Sequence, residues 1–82
     1  MFLEIVTPAK KVFEGEVSVV TFPGVDGLFQ VLNDHAPLVS TLKAGELTYK
    51  DEKTENSVEI TGGVVEVLHN KVIVLADGLK AS

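Results

Sequence analysis

His35 stands beside Asp34 in the run Asn33-Asp34-His35-Ala36-Pro37, where an imidazole and a carboxylate adjoin in sequence. Such a pair could exchange a proton in general acid–base chemistry, or contribute one ligand to a metal. The second histidine, His69, lies far along the chain. Neither has a His-x-His spacing or a third ligand, and a zinc ion takes at least three protein ligands. Asp26, Asp34, Glu46 and Glu66 fall on loops and outward strand positions, with no apolar pocket to split their pKa values. Ser18, Ser40, Ser57 and Ser82 have no base at a suggestive position, and no G-x-S-x-G occurs. The glycines never precede a helical pattern, so neither a dinucleotide site nor a phosphate loop is supported. Lys71, just after His69-Asn70, could be the attachment lysine of a biotinyl or lipoyl carrier, but the flanking Met-Lys-Met context is absent. These residues predict a chain that is not an enzyme and has no cofactor or metal site. His35 is expected to hydrogen-bond the backbone of its own turn, or to reach a partner.

Turn chemistry dictates how these residues are positioned. Gly24 and Gly27 bracket Val25-Asp26, a turn that calls for positive φ. Phe29, Val31 and Leu32 read as a strand. Pro37 forces Ala36 to be extended and removes a ladder donor, which makes Asn33 to Pro37 a stiff loop. Leu38 to Leu42 follows as a strand, stopped by Lys43-Ala44-Gly45. Upstream, Phe2 to Val6 reads as a leading strand, and Lys10-Lys11 as a solvated pair guarding an edge. Val12-Phe13 precedes a bulge at Glu14-Gly15, and Glu16 to Phe22 reads as one strong strand.

Downstream, Glu46 to Lys50 alternates cleanly, with Leu47 and Tyr49 inward. Asp51 to Ser57 is the longest polar run and reads as a surface loop; Val58 and Ile60 then point inward. Gly62-Gly63 restarts the chain as Val64 to Leu68. His69-Asn70 reads as a hairpin turn into Lys71 to Ala76, and the tail from Leu79 to Ser82 is too short to pack. No window shows helical periodicity. Short strands between turn signals predict an all-β sandwich of two antiparallel sheets in a single domain, residues 1–82.

Composition narrows the partners. A net charge of −5 and a pI near 4.8 disfavour nucleic acid and anionic lipid. The absence of cysteine excludes a disulfide framework. No apolar run approaches the ~20 residues of a membrane span, and the first residues do not read as a signal peptide. The sequence is thus expected to be cytosolic, while free to dock on a membrane assembly. Several strands carry apolar residues at alternating and intervening positions, among them Val20 and Phe22, Val64 and Leu68, Ile73 and Leu75. One sheet face is therefore expected to bind another chain.

The run Gly27 to Leu38, G-x-F-x-V-L-x-x-H-A-P-L, resembles the signature of the ε subunit of F-type ATP synthases. Val17 to Gly24, Thr61 to Val67 and Val72 to Asp77 match in order. Leu28 replaces a usual acid, Gln30 a usual glycine, and Asn33-Asp34 a common Pro-Gly. The resemblance implies a sandwich of about ten short strands. It also implies a non-catalytic rotor part clipping the γ subunit to the ring of membrane c subunits. The protein would then sit peripherally at the cytoplasmic face of an energy-transducing membrane. Carried over by position, the c-ring contacts would be Asp26, Gly27 and Leu28 together with Asn33, Asp34, His35, Ala36 and Pro37. The γ contacts would be Thr7 and His35. Most relatives of that kind continue into a helical hairpin, and this sequence ends at Ser82, where the hairpin would begin.

Overall fold

The computed structural model describes residues 1–80. Among these, the regular structure consists of nine strands and no helix. They are β1 (Phe2–Val6), β2 (Lys11–Glu16), β3 (Val19–Gly24), β4 (Gly27–Leu32), β5 (Leu38–Leu42), β6 (Gly45–Lys50), β7 (Glu55–Ile60), β8 (Gly63–Leu68) and β9 (Lys71–Ala76). The expected all-β sandwich is the fold found, with nine strands in place of about ten.

The strands form one curled sheet with two wings. One wing is ordered β2-β1-β9-β8-β5, and the other is β4-β3-β6-β7. They are joined where β3 leaves β6 and meets β5 through the single pair Gly24↔Leu42. Every pairing is antiparallel except β1 with β9, which is parallel.

Period-two alternation builds the core. Leu3 and Ile5 of β1, Val65 and Val67 of β8, and Val72 and Val74 of β9 face Val20 and Phe22 of β3. Val31, Leu47 and Ile60 complete the second wing's share of this one cluster. Phe13 of β2 stacks at a tilt on Tyr49 of β6, with ring centroids 4.4 Å apart, so the first wing's edge closes over the second. Phe22 and Phe29 stack at 5.3 Å.

The predicted strand from Glu16 to Phe22 is broken in two. The chain turns at Val17-Ser18, where the Val17 N–H donates to the Met1 carbonyl at 2.9 Å and the Ser18 N–H to Lys50 at 2.8 Å. This break carries no glycine or proline, because distant backbone holds it. Val20 and Phe22, expected on an outer face, are both fully buried.

The bulge falls at Val12. Ile5 pairs with Phe13 and Val6 with Lys11, while Glu14 and Gly15 pair regularly with Glu4 and Leu3. The polar loop shrinks to Asp51–Thr54, since Glu55 to Ser57 pair with Lys50, Tyr49 and Thr48. These residues lie at the exposed end of an edge strand, so no apolar alternation marks them. Leu79 and Lys80 of the tail also pack. Leu79 bridges Ile60, the Lys80 N–H donates to Glu59 at 3.0 Å, and the Lys80 ammonium meets the Glu59 carboxylate at 3.5 Å. The remainder of the tail lies outside the described residues.

Two strand junctions carry backbone geometry that few residues tolerate. His69 and Asn70 both take positive φ, 50° and 60°, as the favoured two-residue hairpin turn requires. Gly63 opens β8 at φ 152°, and a Cβ there would collide with the Leu75 carbonyl oxygen and lie 2.9 Å from the Ala76 Cα.

Candidate functional site

The strand pairings and the bonds between turns sort the loops to the two ends of the sandwich. One end gathers Thr7–Lys10, Val25–Asp26, Lys43–Ala44, Thr61–Gly62 and Asp77 onward. The other gathers Val17–Ser18, Asn33–Pro37, Asp51–Thr54 and His69–Asn70. Asp26 and His35 thereby stand at opposite ends of β4, whose six residues span about 20 Å at ~3.3 Å each. Thr7 shares the Asp26 end. Sequence spacing brought the two loops together; strand length keeps them apart.

At the Asp26 end, Val25-Asp26 is a two-residue turn between Gly24 and Gly27, and the positive φ falls on Gly27 at 126°. The turn is braced by the neighbouring loop. The Lys43 N–H donates to Pro23 at 2.9 Å and the Val25 N–H to Thr41 at 3.4 Å. Leu28 follows as the first outward residue of β4, 74% exposed. Thr7 closes its own turn, its N–H donating to the Lys10 carbonyl at 2.8 Å.

At the His35 end, the His35 N–H donates to the Leu32 carbonyl at 3.2 Å, making Asn33 and Asp34 the turn centre. Asp34 adopts φ 63°, the left-handed conformation that glycine takes at no cost. Side chains fix this strained turn. The Asp34 N–H donates to Asn70 Oδ1 at 2.8 Å, and Asn33 Oδ1 accepts from the Met1 ammonium at 2.5 Å. The same ammonium reaches the Val17 carbonyl at 3.1 Å and the Glu16 carboxylate at 3.3 Å. His35 Nδ1 donates to the Ala36 carbonyl at 2.7 Å. This is the backbone bond within its own loop that the sequence suggests.

Asp51 organises the adjoining loop. Its Oδ1 accepts N–H groups from Lys53 at 2.8 Å and Thr54 at 2.9 Å. These bonds, Lys53's first, hold the carboxyl below its ordinary range against a smaller opposing effect of burial. Met1, Glu16, Val17, Ser18, Asn33 and Asp51 to Lys53 line an open depression of about 440 Å³. Its groups include no paired nucleophile and base. Among the described residues no cluster of three metal-ligating side chains occurs. Lys71 is not at a hairpin tip: His69 and Asn70 occupy the tip, and the Lys71 ammonium lies over the Phe2 ring at 5.8 Å.

The two outer faces differ in kind. On the β4-β3-β6-β7 wing, Thr21, Gln30, Thr48, Lys50 and Glu55 make a polar surface, and Gln30 donates to the Thr21 hydroxyl at 3.2 Å. On the other wing, the register aligns Val6, Leu75 and Val64 across β1, β9 and β8. Ile73 lies between Glu4 and Glu66, Val39 lies opposite Glu66, and Leu68 lies next to Lys71. Val39 is 68% exposed, Leu75 56%, Leu68 45% and Val64 39%. Pro37 runs onto this face beside Val39 and Leu68, so the His35 loop borders it. The sequence named Val64, Leu68, Ile73 and Leu75 for such a face. It missed Val39, whose outward direction follows from its pairing with Glu66.

Comparison with known proteins gives one answer. Residues 1–81 match the family described as ATP synthase, Delta/Epsilon chain, beta-sandwich domain. The chain is 49% identical over 76 residues to the ATP synthase epsilon chain of Chlorobium limicola, covering 92% of this chain and 86% of that one. It is 47% identical over 75 residues to that of Dehalococcoides mccartyi (strain CBDB1), covering 92% and 54%. It thus spans most of the first relative and about half of the second. The central stalk/c-ring structure of Tetrahymena thermophila mitochondrial ATP synthase has the same fold, with TM-score 0.82 and 21% identity over 96% of this chain and 64% of that one. So does a chain of the Euglena gracilis mitochondrial ATP synthase OSCP/F1/c-ring structure, with TM-score 0.88 and 22% identity over 95% and 51%.

Proposed function

Since this chain belongs to the ATP synthase delta/epsilon β-sandwich family, we propose that it is a non-catalytic central-stalk subunit linking γ to the c-ring. It would work peripherally, at the cytoplasmic face of the energy-transducing membrane. The observation that carries this reading is the asymmetry of the sandwich. One outer face is studded with Val39, Val64, Leu68 and Leu75, whereas the opposite face is polar across β3 and β6 and exposes Leu28 and Leu32 along its β4 edge. A rotor clip needs an adhesive side for the stalk and a separate end for the ring. Glu4 and Glu66 cross the middle row of this face beside Ile73 and Val39, so its apolar residues are interleaved with charges that would meet polar groups of a partner.

The contacts divide by end. The apolar face runs from Thr7 and Leu75 to Pro37 and Leu68, so γ lies along it and meets Thr7 at one end and the His35 loop at the other. Asp26, Gly27 and Leu28 face the c-ring. Asn33, Asp34, Ala36 and Pro37 lie about 20 Å from Asp26 along β4, and therefore join His35 on the γ side rather than the ring. Both loops are held by backbone bonds, so presenting them costs little ordering entropy.

The test is reconstitution into ATP synthase stripped of its own ε subunit. Unmutated chain restores proton pumping. Val64→Glu with Leu75→Glu abolishes binding to γ, whereas Asp26→Lys with Leu28→Lys leaves γ binding intact and lowers coupled pumping. Failure of the unmutated chain to bind γ overturns the assignment. Unchanged γ binding in the first double variant overturns the choice of face.

A further inference from the structure

We propose that the free chain pairs with a second copy of itself through the open edge of β4, forming an antiparallel strand pair centred on Gln30. Four strands end the two wings. β5 is tied to the other wing by the pair Gly24↔Leu42 and by the Val25 N–H on the Thr41 carbonyl, and two of the other three are guarded. β2 carries Lys11, Glu14 and Glu16 and is bulged at Val12. β7 carries Glu55 and Glu59, and Leu79-Lys80 lies against its inner end. Charge and bulges are how natural edges resist adding another strand. β4 reads Gly-Leu-Phe-Gln-Val-Leu and has no charge, and among the described residues it pairs with β3 alone.

The hydrogen-bond phase of that edge is fixed by its neighbours. The Pro23 carbonyl accepts from Lys43, on the side away from β4, and the Leu32 carbonyl accepts from His35, on the side away from β3. Pro23 opposite Leu28, Thr21 opposite Gln30 and Val19 opposite Leu32 are therefore the non-bonded pairs of the hairpin. The N–H and C=O groups of Leu28 and Gln30, and the N–H of Leu32, point to the open edge. A two-fold axis at Gln30 sets Gln30 against Gln30 and Leu28 against Leu32 of the other copy. All three are bonded positions in that register, and all three side chains share the outer face. Leu28, 74% exposed, and Leu32, 55% exposed, then cover one another, while the Gln30 amides meet at the centre. No like charges face each other across the pair, and leucine meets leucine on either side of Gln30, so the edge is self-complementary and fits a second copy. Leu28 also belongs to the proposed c-ring contact, so the pair is a state of the chain before assembly. Pairing through β4 requires nothing of the rotor reading and is independent of it.

A six-residue edge makes a small interface of the weak, transient kind, with a dissociation constant roughly 0.1–1 mM. Sedimentation velocity of the chain alone, from ~20 µM to ~2 mM, should show a monomer passing to a dimer. Amide exchange at the high end should newly protect Gln30 and Leu32, while Phe29 and Val31 are protected throughout. Gln30→Lys sets like charges in register on a strand edge the fold does not use, and should weaken the dimer by about two- to fivefold. Val39→Lys, on the apolar face, should leave it unchanged. A monomer up to 2 mM overturns the proposal. So does a dimer lost in Val39→Lys but retained in Gln30→Lys, which would put the second copy on the apolar face.

Discussion

Replacing Gly63 by alanine separates two costs that glycine spares this fold. At φ 152° any L-residue is strained, a penalty of about 1–3 kcal/mol. Gly27, at φ 126°, carries the same kind of penalty, yet a Cβ added there would meet no atom within 4 Å. At Gly63 the added carbon strikes the Leu75 carbonyl oxygen and the Ala76 Cα. That pushes β8 from β9 where Gly63 pairs with Ala76, and places one or two ladder hydrogen bonds at risk, each worth about 1 kcal/mol. Gly27→Ala should therefore cost about 1–2 kcal/mol and Gly63→Ala about 3–4 kcal/mol. A domain of this size has roughly 4–12 kcal/mol in total. Urea unfolding followed by circular dichroism measures both. With a slope near 1–1.5 kcal/mol per molar, the two midpoints should differ by about 1–2 M. Equal midpoints, or a smaller loss at Gly63, would refute the collision between the added carbon and β9.

Other perturbations read other parts of the structure. Phe22→Ala removes a fully buried ring stacked on Phe29 and should cost about 3–5 kcal/mol in the same urea assay. Asp34→Gly relieves the left-handed turn residue while keeping its N–H bond to Asn70. It should stabilise by about 0.5 kcal/mol, raising the melting temperature by roughly 2–4 °C. The Asp51 carboxyl is held low chiefly by the Lys53 N–H and then by that of Thr54, so its contribution is present above the unfolded value near ~3.9 and lost as pH falls through the folded one. Asp51→Asn should thus melt lower than the unmutated chain at pH 7, and the gap should close as pH drops below about 4.

Local chemistry was legible where it alone decides the backbone. His69-Asn70, Gly24 with Gly27, and the alternation through Leu47 and Tyr49 all predicted their elements. The break at Val17-Ser18 was not, because its bonds run to Met1 and Lys50 and leave no turn residue behind. That break also explains the misplacement of Val20 and Phe22: an unbroken strand from Glu16 shows two apolar faces and no means of choosing between them. Ser57 and its neighbours looked like loop because an edge strand with both faces wet has no hydrophobic period. For the candidate site, the loops themselves were visible from their glycines and proline. Their assignment to one contact was at odds with the strand read through Phe29, Val31 and Leu32, which already sets Asp26 and His35 at its two ends.

The parallel pairing of β1 with β9 imposes an order on the birth of this molecule. Phe2 to Val6 lie between β2 and β9, with Phe2 opposite Lys71 and Val6 opposite Leu75. β1 leaves the ribosome ahead of β9 and must hold one side bare until β9 arrives. At ~5–20 residues per second that wait lasts on the order of 3–15 s. Throughout it, Leu3 and Ile5 lack the Val72 and Val74 that later lie beside them. The sandwich thus closes only with β9, and a ribosome that stalls before Lys71 leaves an unfinished sheet with an adhesive margin.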